Sequence, residues 1–359
     1  MRLASVALTR AGVAASARLS RALGPLDRYV PARLAFAGDD ALPYEQPARE
    51  LLDLLFPSYN GLILFMALGA AVRLLAPLLR DKQSDPAVVV VDETATFAIS
   101  VLSGHIGGAN ALTREVAAAL GATPVITTAS DGRGLPALDL LGRAAGWRLE
   151  GTRQSVKRAS AALLNGESLL IYQDAGDTDW QRDIPAEQRR QCVDLADLAA
   201  ASDGVGAAVI ITDRVLGDPP DQLTCPCVLY RPPTLVAGVG CSRGAPTDEI
   251  ETLLQAALVE AGVSAHALHA FATIDLKHDE PGIGELARRH HLPVRYFSAS
   301  QLATVRVPNP SPVVEAAVGT PGVCEPAALL AAGAADLLLP KRKSVRATVA
   351  LARRAEAPA

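Results

Sequence analysis

Few side chains here combine a titratable group with a backbone able to present it, and His105 is the clearest case. It sits in Leu102-Ser103-Gly104-His105-Ile106-Gly107-Gly108-Ala109-Asn110, a Gly-rich run that follows the apolar stretch Val88-Val89-Val90-Val91. Imidazole titrates near neutrality and glycines let a large ligand come close, so His105 is a candidate general base. A histidine that only hydrogen-bonds its own loop would read the same. A strand that runs through a Gly-rich loop into a helix also points unpaired N–H groups outward, where they attract anions. Ser103, Gly104, Gly107, Gly108 and Asn110 are therefore expected to line a binding site, the glycines also serving the turn. Asp92 and Glu93 could be a second acid/base pair, but carboxylates just after a strand are more often caps or turn formers.

A second group lies in the last third of the chain. Thr273, Asp275 and Lys277 alternate, which in an extended segment places all three on one side. Lys277 could then meet a ligand carboxylate, with Asp275 orienting it or acting as acid/base. Glu325 enters an Ala-rich helix, where it serves either as first-turn dipole compensation or as an acid/base. Lys341-Arg342-Lys343 follows an apolar run and reads as a solvated loop or as a carboxylate clamp built on Lys341 and Lys343. Gly240, Asn309 and Thr320 fall in Gly238-Val239-Gly240-Cys241, Val307-Pro308-Asn309-Pro310-Ser311 and Val318-Gly319-Thr320-Pro321-Gly322. Each of these runs follows or interrupts an apolar stretch, so it belongs on a loop at a strand end, where open α/β sheets bind ligands.

Other chemistries are disfavoured. Gly238-x-Gly240-x-x-x-Gly244 is one residue too long for a dinucleotide fingerprint, and Glu260 lies within a helical stretch instead of at a strand end. No G-x-x-x-x-G-K-[ST] run occurs. His266 and His269 lie in Ala-Leu surroundings with no carboxylate or cysteine partner and read as surface or core residues, and His290-His291 reads as a basic helix end, so no protein metal site is expected. Cys225-Pro226-Cys227 lacks metal spacing, and Cys241 has no evident activating base.

These residues need a scaffold, and composition bounds it. The chain has 359 residues, half of them hydrophobic, and a formal charge of −4. That charge argues against a nucleic-acid partner, whose binding is mostly phosphate neutralisation. Five cysteines without framework spacing point to a reducing cytoplasm. Residues 1–26 carry Arg2, Arg10, Arg18 and Arg21 with no acid before Asp27, a transit-peptide pattern, yet they read better as a strand and a helix. The apolar stretch Leu62 to Leu79 is interrupted by Arg73 and Pro77, which argues against a membrane span.

Apolar β-runs alternate with Ala/Leu-rich helical stretches, the pattern of parallel sheets with crossover helices. Strands are expected near 3–9, 61–66, 87–91 and 123–127, with helices near 11–23, 46–56, 67–80 and 107–120. The fold class is α/β in three domains: a Rossmann-like, doubly wound N-terminal domain (1–132), a small middle domain (133–231) and a three-layer C-terminal domain (232–353). Strands in the middle domain are expected at 147–149, 168–172 and 207–211. Arg231-Pro232-Pro233-Thr234 is the stiff linker before the C-terminal domain, and 354–359 is expected to be a frayed tail.

The C-terminal runs, from Gly238-Val239-Gly240-Cys241 through Thr273-Ile274-Asp275-Leu276-Lys277 and Asn309 to Gly319-Thr320-Pro321-Gly322-Val323-Cys324-Glu325 and Pro340-Lys341-Arg342-Lys343, resemble the C-terminal domain of the cobalt-precorrin-5A hydrolases. The segment Val91-Asp92-Glu93, Ser103 to Asn110 and Pro124-Val125-Ile126-Thr127-Thr128-Ala129-Ser130-Asp131 resembles the same family's N-terminal domain. The resemblance covers most of the chain and is weakest in the middle.

It implies a place in the anaerobic route to cobalamin. There the δ-lactone of a ring-contracted cobalt corrinoid precursor is opened, and two carbons leave as acetaldehyde to give cobalt-precorrin-5B. It implies no cofactor, since cobalt arrives with the substrate. The implied partners are that corrinoid and neighbouring pathway enzymes, with no membrane, and a homodimer is compatible with it. A stand-alone relative of the C-terminal domain also occurs in the aerobic pathway, so the alternative is a non-catalytic protein that binds or carries corrinoid intermediates.

Overall fold

The computed structural model describes residues 1–36, 38–81, 84–105, 107–216 and 223–355. Ile106 of the His105 loop and residues 356–359 of the expected tail lie outside them. The chain divides into two compact units, Met1–Leu140 and Leu141–Ala359.

The first unit contains β1 (Leu3–Ala7), α1 (Arg10–Leu23), β2 (Asp27–Pro31), β3 (Leu42–Tyr44), α2 (Ala48–Leu55), β4 (Gly61–Phe65), α3 (Leu68–Leu75), β5 (Ala87–Val91), β6 (Phe97–Leu102), α4 (Ala109–Leu120), β7 (Thr123–Val125) and α5 (Ala129–Arg133). They build one seven-stranded sheet in the order β3-β2-β1-β4-β5-β6-β7. Strands β4 and β5 are buried along their whole length, and strands covered on both faces read as the continuous apolar runs seen here. Helices α1 and α4 cover one face, where Val13, Leu19, Leu112 and Val116 meet Ile63, Val89 and Val91. Helices α2 and α3 cover the other, where Leu51, Leu52 and Leu75 meet Leu62, Val88 and Val90. The doubly wound expectation holds.

Two features of this sheet depart from expectation. Strands β2 and β3 were not anticipated, because a five- and a three-residue strand carry too short an apolar signal. The larger departure is β6. The Ser103–Gly108 loop does not continue from the valine strand: the chain turns back at Asp92–Thr96, and β6 runs antiparallel to β5, with Val88 opposite Leu102. β7 is parallel to β6. The loop therefore sits at the carboxyl ends of β6 and β7, beside the amino end of β5 and not above its carboxyl end.

The second unit holds two sheets. In the first, β9 (Leu169–Gln173), β10 (Arg189–Gln191), β11 (Ala207–Ile211) and β12 (Cys227–Arg231) run parallel, and β8 (Arg148–Glu150) pairs antiparallel with β12, in the order β10-β9-β11-β12-β8. Helix α6 (Arg153–Leu164) and the short α7 (Leu198–Ala201) belong to this layer.

The other sheet has the order β15-β14-β13-β17-β16, built from β13 (Leu235–Cys241), β14 (Leu268–Ile274), β15 (Val294–Phe297), β16 (Leu339–Lys343) and β17 (Ala347–Arg353). Helices α8 (Thr247–Ala261) and α9 (Pro281–His290) pack on one face, where Ile250, Leu254, Ile283 and Leu286 meet Ala237, Val239 and Phe271. On the other face lie α10 (Ala299–Ala303), α11 (Pro312–Val318) and α12 (Cys324–Ala332), with Leu302, Ala327, Ala328 and Ala331 against Val236, Ala272 and Ile274. This is the expected three-layer arrangement. Gly238 makes it possible: a Cβ there would stand 1.8 Å from the Cys324 carbonyl oxygen, so only glycine lets α12 lie this close to β13.

The two sheets of this unit are joined by charge. Asp213, 1% exposed, accepts from Arg353 Nε at 2.8 Å, Arg353 Nη2 at 2.9 Å and Thr234 Oγ1 at 2.6 Å. Glu150 accepts from Arg231 Nε at 3.0 Å and pairs with His266 Nδ1. His266 thus has a carboxylate partner, 116 residues away in sequence, as does His290, whose Nε2 lies 2.9 Å from Glu251 Oε2. Arg354 and Ala355, assigned to a frayed tail, are also tied down: their amides donate to Thr234 O at 2.7 Å and Ala332 O at 3.0 Å.

Candidate active site

The Ser103–Gly108 loop is folded on itself. Ser103 takes a left-handed φ of 55°, its Oγ donates to the Asp85 carbonyl at 2.8 Å, and its own carbonyl accepts from the Ala109 amide at 3.1 Å. The amides of Gly108 and Asn110 donate to His105 O at 3.0 Å and Gly104 O at 2.9 Å. Those first-turn donors of α4 are consumed inside the loop, so the expectation that they point outward at an anion is corrected. Compactness also explains the glycines. A Cβ at Gly107 would meet Ser103 Cβ at 2.3 Å, one at Gly104 would meet Asn110 Oδ1 at 2.8 Å, and Gly108 has φ 86°.

The loop delivers His105 to a polar cluster at the carboxyl end of β7. Its Nε2 lies 3.1 Å from Asp131 Oδ2 and 2.9 Å from Ser130 Oγ. The same Asp131 oxygen accepts from Asn110 Nδ2 at 2.8 Å and from Thr128 Oγ1 at 2.7 Å, while its other oxygen accepts from Arg114 Nη2. Burial raises the Asp131 pKa, but the bonds from Thr128, Arg114 and His105, together with the Arg114 charge, outweigh it and hold the carboxyl down at about 2. Asn110 is 4% exposed, and its remaining oxygen accepts from Ser100 Oγ at 2.7 Å. It braces the cluster from inside instead of facing a ligand. The His105 side chain remains 25% exposed, and among the described residues no hydrogen bond reaches its Nδ1.

Serine and carboxylate meet the same imidazole nitrogen. In a nucleophilic triad they lie on opposite nitrogens, so this is not one. It is a histidine anchored through one nitrogen with the other unengaged among the described residues, suited to taking a proton from a bound molecule. Asp92 is a turn former: it accepts from the Phe97 amide at 2.6 Å and from Thr94. Burial opposes its ionisation, but these bonds lower its pKa overall.

The C-terminal candidates fall into separate places. Strand β14 stops at Ile274, and Asp275–Lys277 forms a 3-10 turn, so Thr273, Asp275 and Lys277 do not share the side of one extended strand. Thr273 is fully buried, and Asp275 is exposed. Lys277 Nζ donates to Glu280 Oε2 at 3.0 Å, and Glu280 Oε1 accepts from the Gly244 amide at 2.8 Å. Burial opposes ionisation of Glu280, but Lys277 and the Gly244 amide lower its pKa overall.

Glu325, Asn309 and Lys341 do come together. Glu325 Oε1 accepts from Asn309 Nδ2 at 2.8 Å and from the Lys341 amide at 2.9 Å. Its Oε2 accepts from the Asn309 amide at 3.2 Å, and Lys341 Nζ donates to Asn309 O at 2.6 Å. The arrangement clamps the Asn309 loop to β16 and leaves Lys341 turned toward a backbone carbonyl. Gly240 is buried within β13, where a Cβ would meet Thr348 Oγ1 at 2.6 Å. Thr320 is buried and donates to Gly322 O at 3.1 Å. Both are packing positions. Lys343 is exposed at the end of β16, and its neighbour Arg342 pairs with Glu260.

Burial raises the pKa of all five cysteines, up to about 12 at Cys227 and about 11 at Cys324, which keeps them as thiols. All five are free. The residues that meet the candidates in space and that sequence reasoning did not single out are Asp131, Thr128, Ser130 and Arg114 beside His105, and Glu280 beside Lys277. The run Thr128-Ala129-Ser130-Asp131 carried the available signal, a hydroxyl and a carboxylate three residues apart just after a strand.

Fold and site together define a multidomain α/β protein that presents an anchored histidine on a compact Gly-rich loop. Three family models match in succession: Cobalamin synthesis G N-terminal over residues 50–131, Cobalamin biosynthesis central region over 136–232, and Cobalamin synthesis G C-terminus over 235–352. The chain is 40% identical over 356 residues to the cobalt-precorrin-5A hydrolase of Priestia megaterium, covering 97% of this chain and 94% of that protein. It is 36% identical over 330 residues to the cobalt-precorrin-5A hydrolase of Salmonella typhimurium, covering 90% of each. Protein CobE of a Sinorhizobium species matches at 40% identity over 121 residues, 33% of this chain and 79% of that protein. The chain belongs to the cobalamin synthesis G family.

Proposed function

We propose that this protein is a cobalt-precorrin-5A hydrolase of cobalamin biosynthesis. It opens the δ-lactone of the cobalt corrinoid and releases acetaldehyde. Full-length similarity to two hydrolases of that name supports this reading over a carrier role, and the observation that carries the chemistry is His105, held at Nε2 with Nδ1 unengaged among the described residues. Water adds to the lactone carbonyl and its oxygen stays in the new carboxylate. The freed alcohol then gives its proton to His105, the C–C bond breaks, the aldehyde leaves, and the macrocycle takes the electron pair. Cobalt comes with the substrate, so the reaction asks for no resident cofactor. We place it in the cytoplasm; no helix among the described residues is long and apolar enough to cross a membrane.

Anaerobic incubation of the pure protein with cobalt-precorrin-5A, assayed for acetaldehyde, tests this. Tight binding without aldehyde would favour the carrier role and sink the hydrolase. His105→Ala should lower turnover by about 10²-fold or more. Near-normal turnover would return His105 to a purely structural role.

A further inference from the structure

We infer that Asp131 is the positioning residue of His105: it keeps the imidazole proton on Nε2 and so makes Nδ1 the nitrogen that takes the substrate proton. The inference rests on the hydrolase reading for its reaction, and on the geometry of the resting protein for everything else. Two oxygens approach Nε2, Asp131 Oδ2 at 3.1 Å and Ser130 Oγ at 2.9 Å. A carboxylate can only accept. Were Nε2 unprotonated, its lone pair would face the carboxylate lone pair; protonated, it donates. Asp131 is ionised at any working pH, since its bonds from Thr128, Arg114 and His105 override burial. Ser130 is then left to share the Nε2 proton as an acceptor. It cannot pass its own proton to that nitrogen, which removes it as an activated nucleophile.

Asp131 is itself rigidly placed. Thr128 Oγ1 at 2.7 Å, Asn110 Nδ2 at 2.8 Å and Arg114 Nη2 hold its two oxygens, and Asn110 is pinned in turn by Ser100. These residues come from β6, α4 and the end of β7, so the imidazole is oriented by the sheet and not by its loop alone. When Nδ1 takes the alcohol proton, the imidazolium lies against a fixed negative charge, as in other carboxylate–histidine pairs.

The test uses the full-length protein labelled with 15N-histidine. The sequence has six histidines, and the His105 signals are those lost in His105→Gln. At pH 9, without substrate, the wild-type spectrum should show a pyrrole-like Nε2 and a pyridine-like Nδ1 at His105. Asp131→Asn should redistribute the two tautomers and lower kcat for acetaldehyde release by about 10²- to 10⁴-fold, with KM within about threefold. An Nδ1–H tautomer in the wild type overturns the inference even if no variant folds. Wild-type turnover by Asp131→Asn, or a loss confined to KM, overturns it as well. Absence of acetaldehyde from the wild-type reaction would count against the hydrolase reading instead, and would leave the resting tautomer to be judged from its spectrum.

Discussion

Glu325 offers the sharpest decision between chemistry and scaffolding. As a buried acid next to lysines it suits a proton donor, yet it is 1% exposed and both its oxygens are engaged by Asn309 and Lys341. In Glu325→Gln the amide oxygen can keep the position that serves Asn309 Nδ2 and the Lys341 amide. The NH2 group then confronts the Asn309 amide, so one charge-assisted bond becomes two opposed donors. A hydrogen bond to a charged group contributes about 1.5–3 kcal/mol, so the substitution should cost about 2 kcal/mol. With a denaturant slope on the order of 3 kcal/mol/M, the urea midpoint should fall by roughly 0.7 M. Trp147 and Trp180 lie in the same compact unit and report the transition by fluorescence. Well below that midpoint, Glu325→Gln should release acetaldehyde with kcat within about threefold of wild type, since general acid–base loss would instead cost about 10²-fold or more. An unchanged midpoint together with a hundredfold fall in kcat would refute the clamp and restore Glu325 as an acid.

Three further outcomes follow from the same contacts. The Asp131 carboxyl lies near 2 in the folded state against an ordinary 3.8, so its contribution to stability is present above about pH 4 and is lost as pH falls toward 2; acid titration followed by circular dichroism should show a flatter acid limb in Asp131→Asn, and an unchanged limb would contradict this. Gly107→Ala places a Cβ 2.3 Å from Ser103 Cβ, which should cost about 1–3 kcal/mol and displace His105, seen as at least about a tenfold loss of turnover; wild-type rate and melting would show that the loop is looser than described. Arg353→Ala removes two of the three side-chain hydrogen bonds that the buried Asp213 accepts among the described residues, leaving that from Thr234, and should cost about 3 kcal/mol, read as a lower thermal midpoint.

The sequence alone determined the α/β class, the doubly wound and three-layer expectations, the family, and the prominence of His105. These were legible because they depend on local pattern: all-valine strands, a Gly-rich run, and proline and glycine punctuation. The direction of β6 was not legible, because an apolar strand reads alike whether it continues a parallel sheet or turns back along it. That one reversal moved the His105 loop from the carboxyl end of β5, where it was expected, to beside its amino end. Nor did spacing show that Thr273, Asp275 and Lys277 would part where β14 gives way to a 3-10 turn, or that Asn309, Glu325 and Lys341 would close on one another across 32 residues. Hydrogen-bond partners are chosen by proximity in space, and only the packed sheet brought Asp131 to His105 from 26 residues away. Sequence singled out the histidine; tertiary structure decided which of its nitrogens meets Asp131 and Ser130.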